Sequence, residues 1–343
     1  FLPVSKNDMI SRGWDEVDFV YVSGDAYVDH PSFGVSIITR VLENSGYKVG
    51  VISQPDWRKN DSFKVFGKPR LGFMVSSGNI DSMVAHYTVA KRKRSTDAYS
   101  PGGKVGLRPD RAVIVYCQKI RDIYGDIPII IGGLEASLRR FAHYDYWDDA
   151  IRPSILFDSG ADLISFGMGE KQTVEIANRL NNGENIKSLT DIKGTCYAVP
   201  VTETPYKGVE CPSFENVIAS KKEYAISCRI QQDEQDHIRG KVIKQRHGKM
   251  MLVQNEPMEP LTTEELDKVY SLPYMRTYHP MYEKDGGVPG IIEVEFSITH
   301  NRGCFGACNF CSIAFHQGRY VTCRSKDSII KEAKLLTELN GFK

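Results

Sequence analysis

Residues 17–24 read Val-Asp-Phe-Val-Tyr-Val-Ser-Gly, and residues 47–53 read Tyr-Lys-Val-Gly-Val-Ile-Ser. Both runs are short and rich in β-branched and aromatic residues, and the first ends in glycine, the pattern of buried strands. Between them Val35, Ile38, Val41 and Leu42 recur at the spacing of one helix face, and Gly46 follows as a stop signal. Strand, helix and strand within about 40 residues make a βαβ unit, which implies a parallel sheet.

The alternation continues outward from that unit. Residues 71–76 predict a strand. Residues 80–94 predict a helix, through Met83, Val84, Tyr87 and Ala90, and 95–110 a Gly/Pro/Ser-rich loop. An amphipathic helix over 111–124, a strand over 127–131 ending in Gly132-Gly133, and a helix over 134–141 follow. A strand over 162–167 and a helix over 170–180 complete five strands. The expectation is an α/β, doubly wound, Rossmann-like domain over 1–194. Residues 195–290 carry eight prolines. They read as an irregular connector packed on both neighbours, with helices at 213–226 and 262–271, the latter capped by Thr262 or Thr263 with Glu265. Residues 291–343 open with a strand, Ile291 to Ile298, pass through a loop, and end in a helix over 325–339.

The 343 residues carry 44 Lys+Arg against 43 Asp+Glu, a formal net charge of +1. This is a globular composition that excludes wholesale disorder and creates no overall field demanding nucleic acid or anionic lipid. No apolar run approaches the ~18 residues of a membrane span. The opening Phe-Leu-Pro-Val-Ser-Lys has no signal-peptide pattern and does not begin with Met. The expectation is a cytoplasmic setting without membrane contact, where eight cysteines are thiols or metal ligands.

Cys117, Cys196, Cys211 and Cys228 are scattered and read as small buried hydrophobes. Cys304, Cys308, Cys311 and Cys323 crowd into twenty residues. The first three, at i, i+4 and i+7, would share one face of a helix. Gly303, Gly306 and Asn309 argue against a helix there. Cys308, Cys311, His316 and Cys323 supply the four ligands of a closed zinc site, resembling a zinc knuckle with an overlong last gap and leaving Cys304 unused. That alternative makes the chain a zinc-bearing nucleic-acid-binding module. In the third reading, three closely spaced thiolates hold three irons of a cubane and leave the fourth open for a substrate or cofactor. Gly303 and Gly306 then let backbone N–H groups approach the anionic cluster.

Cys304-x3-Cys308-x-Phe310-Cys311 resembles the radical S-adenosylmethionine (SAM) superfamily. The resemblance implies that Cys304, Cys308 and Cys311 ligate a [4Fe–4S] cluster and that Phe310 lies near the SAM adenine. It also implies that the open iron binds SAM, whose reductive cleavage yields a 5′-deoxyadenosyl radical, with electrons from a flavodoxin- or ferredoxin-type donor. A longer match runs through Gly24-Asp-Ala-Tyr-Val-Asp-His-Pro-Ser-Phe-Gly34, Gln54-Pro-Asp-Trp57, Gly132-Gly-Leu-Glu-Ala-Ser-Leu-Arg-Arg140, Ala142-His-Tyr-Asp-Tyr-Trp147 and Arg302-Gly-Cys-Phe-Gly306. These runs are similar to the YgiQ family of radical SAM proteins, a resemblance that names no substrate; RNA and protein are both open.

The N-terminal domain is also similar to cobalamin-binding-type Rossmann domains, with Gly167-Met-Gly-Glu170 before a helix. The Asp-x-His-x-x-Gly signature is not met from Asp25 or Asp29, so a scaffold without cobalamin is expected. A (β/α)8 barrel takes ~31 residues per unit. Residues 291–343 therefore hold under two units, the start of an incomplete radical SAM (β/α) barrel, and this chain alone is expected to be inactive. Asp25, Asp29 and His30 follow the first strand, where open sheets bind ligands, or serve as turn and cap residues. Arg139 to Asp149 is a charged, aromatic patch read as a domain interface or substrate reader. Lys91-Arg-Lys-Arg94 reads as a solvated helix end, with RNA phosphate as the alternative. His300 and His316 are expected as polar groups flanking the cluster.

Overall fold

The computed structural model describes residues 1–306, 308, 310–339 and 341–342; Asn309, one of the residues weighed against a helix, lies outside them. Nine strands form one sheet: β1 Phe19–Ser23, β2 Val49–Ser53, β3 Gly72–Ser76, β4 Ile129–Ile131, β5 Leu163–Ser165, β6 Thr195–Pro200, β7 Val209–Cys211, β8 Ile243–His247 and β9 Met250–Gln254. Their order is β7-β8-β9-β6-β5-β4-β3-β1-β2. The pairs from β2 to β5 are all parallel, in the order 2-1-3-4-5 of a doubly wound fold with its switch point between β1 and β3.

Strand alternation puts apolar side chains on both faces. Phe19, Tyr21, Val49, Val51 and Met74 share one core with Val35 and Leu42 of helix Gly34–Asn44 and with Ile176 and Leu180 of helix Glu170–Asn181. Val20, Val22, Phe73, Ile129 and Ile131 share the other with Val113, Tyr116 and Ile120 of helix Ala112–Tyr124. A sheet covered on both sides needs near-continuous apolar strands, which is why these segments are legible in the sequence.

Three expectations change. Residues 195–254 are less irregular than their prolines suggest: β6, β9, β8 and β7 extend the sheet, with β6 antiparallel to β5. Pro200 closes β6 and Pro205 and Pro212 flank β7, positions that cost no ladder hydrogen bond. The helix expected over 80–94 stops at His86, after Ser82–His86. Thr88 and Arg92 then close a turn (Thr88 N to Arg92 O, 2.8 Å), and Lys91 takes φ +57°. The basic run is therefore a turn, with Lys91 Nζ 4.8 Å from the Tyr146 ring centroid.

Residues 291–298 form no strand. A strand needs a neighbour for its N–H and C=O groups, and among the described residues neither edge of the sheet pairs with this segment. Turn bonds satisfy it instead: Glu295 N to Ile291 O and Ser297 N to Val294 O, both 2.8 Å. Beyond it a two-residue ladder joins Asn301–Arg302 to Thr322–Cys323. Helices Ser312–Gln317 and Lys326–Thr337 complete the described segment.

Candidate functional site

The cysteine loop grows out of the Asn301–Arg302 ladder. Gly303 takes φ +81°, and a Cβ there would lie 1.9 Å from the Tyr320 carbonyl oxygen, so only glycine lets the two backbones meet. Gly303 N donates to Gln317 Oε1 (3.3 Å) and Cys304 N to the Gly318 carbonyl (3.4 Å). The loop is thereby laced to the far end of helix Ser312–Gln317.

Within the loop the sulfurs attract N–H groups. Gly306 N donates to Cys304 Sγ at 3.4 Å, and Ala314 N to Cys311 Sγ at 3.4 Å, which makes Cys311 the cap of helix Ser312–Gln317. A Cβ on Gly306 would stand 3.3 Å from Cys304 Sγ and 3.8 Å from Cys308 Sγ. The absent side chain thus leaves a hollow bordered by two sulfurs. Cys304 and Cys308 are exposed and Cys311 half-buried. Phe310 is 92% exposed. Among the described residues no three His, Cys, Asp or Glu side chains already converge on a single metal-ion position.

The four residues of the zinc alternative are not assembled. His316 turns away from the cysteines into the sheet, where its Nδ1 lies 2.9 Å from Ser137 Oγ, and burial pushes its pKa down to about 4. It closes a pocket of about 120 Å³ with Gly132, Gly133, Met168 and Glu170 at the ends of β4 and β5. Cys323 sits exposed on the short ladder opposite Asn301. His300 is exposed.

Buried ion pairs fasten the loop to the sheet domain. Arg302 pairs with Glu170, in the first turn of helix Glu170–Asn181, and donates from Nε to the Tyr270 hydroxyl at 3.1 Å. Arg324, behind Cys323, lies over the same Tyr270 ring (4.6 Å) and pairs with Glu332, which also takes Arg276 at 2.6 Å. Hydrophobic periodicity carries no signal for these pairs, because both partners are polar and lie from 8 to 132 positions apart.

A cleft of about 220 Å³ borders the loop, walled by Cys308, Cys311, His143, Tyr224, Cys228 and Arg319 among others. Cys228 is therefore not the buried hydrophobe expected. Its helix, Lys221–Asp233, buries Ser227 and Gln231, and Cys228 lies about 100° round from Ser227. Cys117, Cys196 and Cys211 are buried. The patch 139–149 divides. Arg139 pairs with Asp81, Asp145 pairs with Arg111 (2.8 Å), and His143 reaches the cleft with burial pushing its pKa down to about 4.

Asp25, Asp29 and His30 are all buried. Asp25 pairs with Arg108 (2.7 Å) and accepts from Asn79 N (2.6 Å), and Asp29 pairs with Arg40. His30 Nδ1 accepts from Ser32 N (3.1 Å). Asp25 and Asp29 are thus held in buried ion pairs, while His30 Nε2 has no partner among the described residues. Among the described residues no helix is long and apolar enough to cross a membrane.

The radical SAM N-terminal family model matches residues 1–297. A "UPF0313 protein" of Clostridium botulinum (strain ATCC 19397 / Type A) is 57% identical over 343 residues, covering 100% of this chain and 53% of the relative. A "UPF0313 protein" of Clostridium perfringens (strain ATCC 13124) is 57% identical over 344 residues, with 100% and 52% covered. The chain thus spans about half the length of the curated relatives it matches. Among solved structures, the radical S-adenosylmethionine methyltransferase TsrM from Kitasatospora setae, with tryptophan substrate and a SAM analogue bound, has a TM-score of 0.49 at 16% identity, covering 93% of this chain and 45% of that one. The match over residues 1–297 shows that this chain belongs to the radical SAM N-terminal family.

Proposed function

We propose that this chain is the N-terminal part of a radical SAM enzyme and that Cys304, Cys308 and Cys311 hold its [4Fe–4S] cluster. The observation that carries this reading is the loop itself: three thiols within eight residues, two of them exposed and one half-buried, a glycine hollow bordered by two of them, and N–H groups aimed at two sulfurs. Three thiolates suit a cubane with one open iron; the donor chemistry fits. When bound, the cluster supplies the electron that cleaves SAM to a 5′-deoxyadenosyl radical.

The residues of this chain do the rest. Gly303 and the ladder hold the loop against Gln317 and Gly318. Arg302 and Arg324 fix both ends of the segment to the sheet domain and helix Lys326–Thr337. Phe310 offers an exposed ring for the adenine. The Rossmann-like domain acts as a scaffold, and the wall of His143, Tyr224 and Cys228 beside Cys308 and Cys311 is where substrate approaches. The one-electron donor is a flavodoxin- or ferredoxin-type protein.

The test is anaerobic reconstitution of the full-length protein with iron and sulfide. The expected result is four iron and four sulfide per chain, and 5′-deoxyadenosine when SAM and a reductant are added. A colourless protein without inorganic sulfide overturns the proposal.

A further inference from the structure

Among the described residues six arginines are buried: Arg40, Arg108, Arg140, Arg276, Arg302 and Arg324. Five meet carboxylates: Arg40 with Asp29, Arg108 with Asp25 and Asp97, Arg276 and Arg324 with Glu332, and Arg302 with Glu170. Arg140 is 1% exposed and meets none among the described residues. Its Nε donates to Gln254 Oε1 (2.6 Å) and its Nη1 to the Ser137 carbonyl. The rings of Phe315 and Phe166 lie 4.4 and 5.0 Å from the guanidinium carbon. Its Nη2 makes no hydrogen bond among the described residues and is not one of the solvent-sealed polar atoms that lack one. An uncompensated buried charge is unfavourable, and burial lowers the pKa of Arg140 to about 10, which still leaves it protonated at neutral pH.

Arg140 does not lie in a sealed core. It forms part of the wall of a cleft of about 330 Å³ between Phe166–Met168 after β5, Gln254–Pro260 after β9, and Phe315–Tyr320 on the cluster segment. Arg319 and His237 add cationic groups to the lining. The acids of the lining are engaged with their own partners: Asp233 with Arg229 (2.6 Å), Glu259 with Lys193 (2.5 Å), and Asp236 with the N–H groups of Ile238 and Arg239 (2.8 and 2.9 Å). A planar guanidinium held by two hydrogen bonds and aromatic rings is pre-organised to offer its free edge to an oxyanion.

We propose that this cleft is a binding site for a small molecule carrying a carboxylate or phosphate group, which Arg140 receives through Nη2. The ligand would touch the sheet domain and helix Ser312–Gln317 at once. The site is built from side chains of this chain and stands whether or not the cysteines hold a cluster.

Thermal unfolding of the full-length protein tests it, with inorganic phosphate and with acetate, each against sodium chloride of matched ionic strength. The expected result is a saturable rise in Tm, of the order of 1–3 °C, with at least one anion. A rise with phosphate alone assigns a phosphate ligand, and a rise with acetate alone a carboxylate. Arg140→Met is expected to lose the anion response; it also leaves Gln254 Oε1 and the Ser137 carbonyl without their donor, so the response is read against the variant's own Tm without anion. Should Arg140→Met not fold, amide exchange in the wild type decides: the anion slows exchange over residues 137–141, 254–258 and 315–320. No rise beyond the chloride control, an undiminished rise in Arg140→Met, or no added protection of these segments overturns the proposal.

Discussion

Arg302 and Glu170, 132 residues apart, meet in a buried ion pair that joins the cysteine segment to the first turn of a sheet-domain helix. Breaking a buried pair on one side leaves the other charge stranded, at about 3–5 kcal/mol. Glu170→Ala is therefore expected to lower stability by that order in urea unfolding. Arg302→Met leaves Glu170 stranded in the same way and additionally frees the loop before Cys304, so reconstituted iron should fall as well. Unchanged urea midpoints in both variants would show that the pair is not closed in solution.

Gly303→Ala and Gly318→Ala form a matched comparison. Both glycines have positive φ, +81° and +85°, and Gly318 has ψ 178°, so both substitutions carry a backbone cost of about 1–3 kcal/mol. Only at Gly303 does the new Cβ meet the Tyr320 backbone, whereas nothing lies within 4 Å at Gly318. Gly303→Ala is expected to lose most reconstituted iron and Gly318→Ala little. Equal losses would remove the close approach as the cause.

The cysteines separate cluster from zinc. Cys304→Ala, Cys308→Ala and Cys311→Ala are each expected to reduce bound iron and sulfide to a small fraction of wild type, and Cys323→Ala to leave both near wild type. Metal analysis after anaerobic reconstitution reads this directly. One zinc per chain that survives Cys304→Ala but not Cys323→Ala would be the opposite outcome.

His247 is packed against Phe214 and Phe157, its ring centroids 5.3 and 4.7 Å from theirs. Burial lowers its pKa from 6.5 to about 4. A folded-state value below the unfolded one means that the unfolded chain binds the proton first. The stabilising contribution is thus complete above about pH 6.5 and is lost as pH falls toward 4. The loss has an upper bound of about 3 kcal/mol. His247→Phe is expected to flatten the acid side of the stability profile in this window, measured by urea unfolding at stepped pH. An unchanged slope would place a water or counter-charge beside the ring.

The sheet was legible where a strand is buried on both faces, because burial writes an apolar run into a few consecutive residues. Val17 to Gly24 and Tyr47 to Ser53 read correctly for that reason. Ile291 to Ile298 is also rich in β-branched residues, but among the described residues no strand lies beside it, and it folds into turns. Residues 195–254 show the reverse: four strands lie there, and prolines at or near the ends of β6 and β7 masked two of them.

The chain alone therefore determined what depends on short-range order: the βαβ alternation, and three cysteines spaced so that one loop presents all three thiols. Tertiary structure decided which charges are buried and with whom. Arg139 and Arg140 are neighbours in an unbroken motif, yet one finds Asp81 and the other finds aromatic rings and no acid. Likewise His316 and Cys323 look like ligands in the linear chain, but packing turns one into the sheet and leaves the other on a ladder. Spacing acts along a few residues of backbone, whereas a charge takes its partner from whatever the fold carries to it, here from up to 132 positions away.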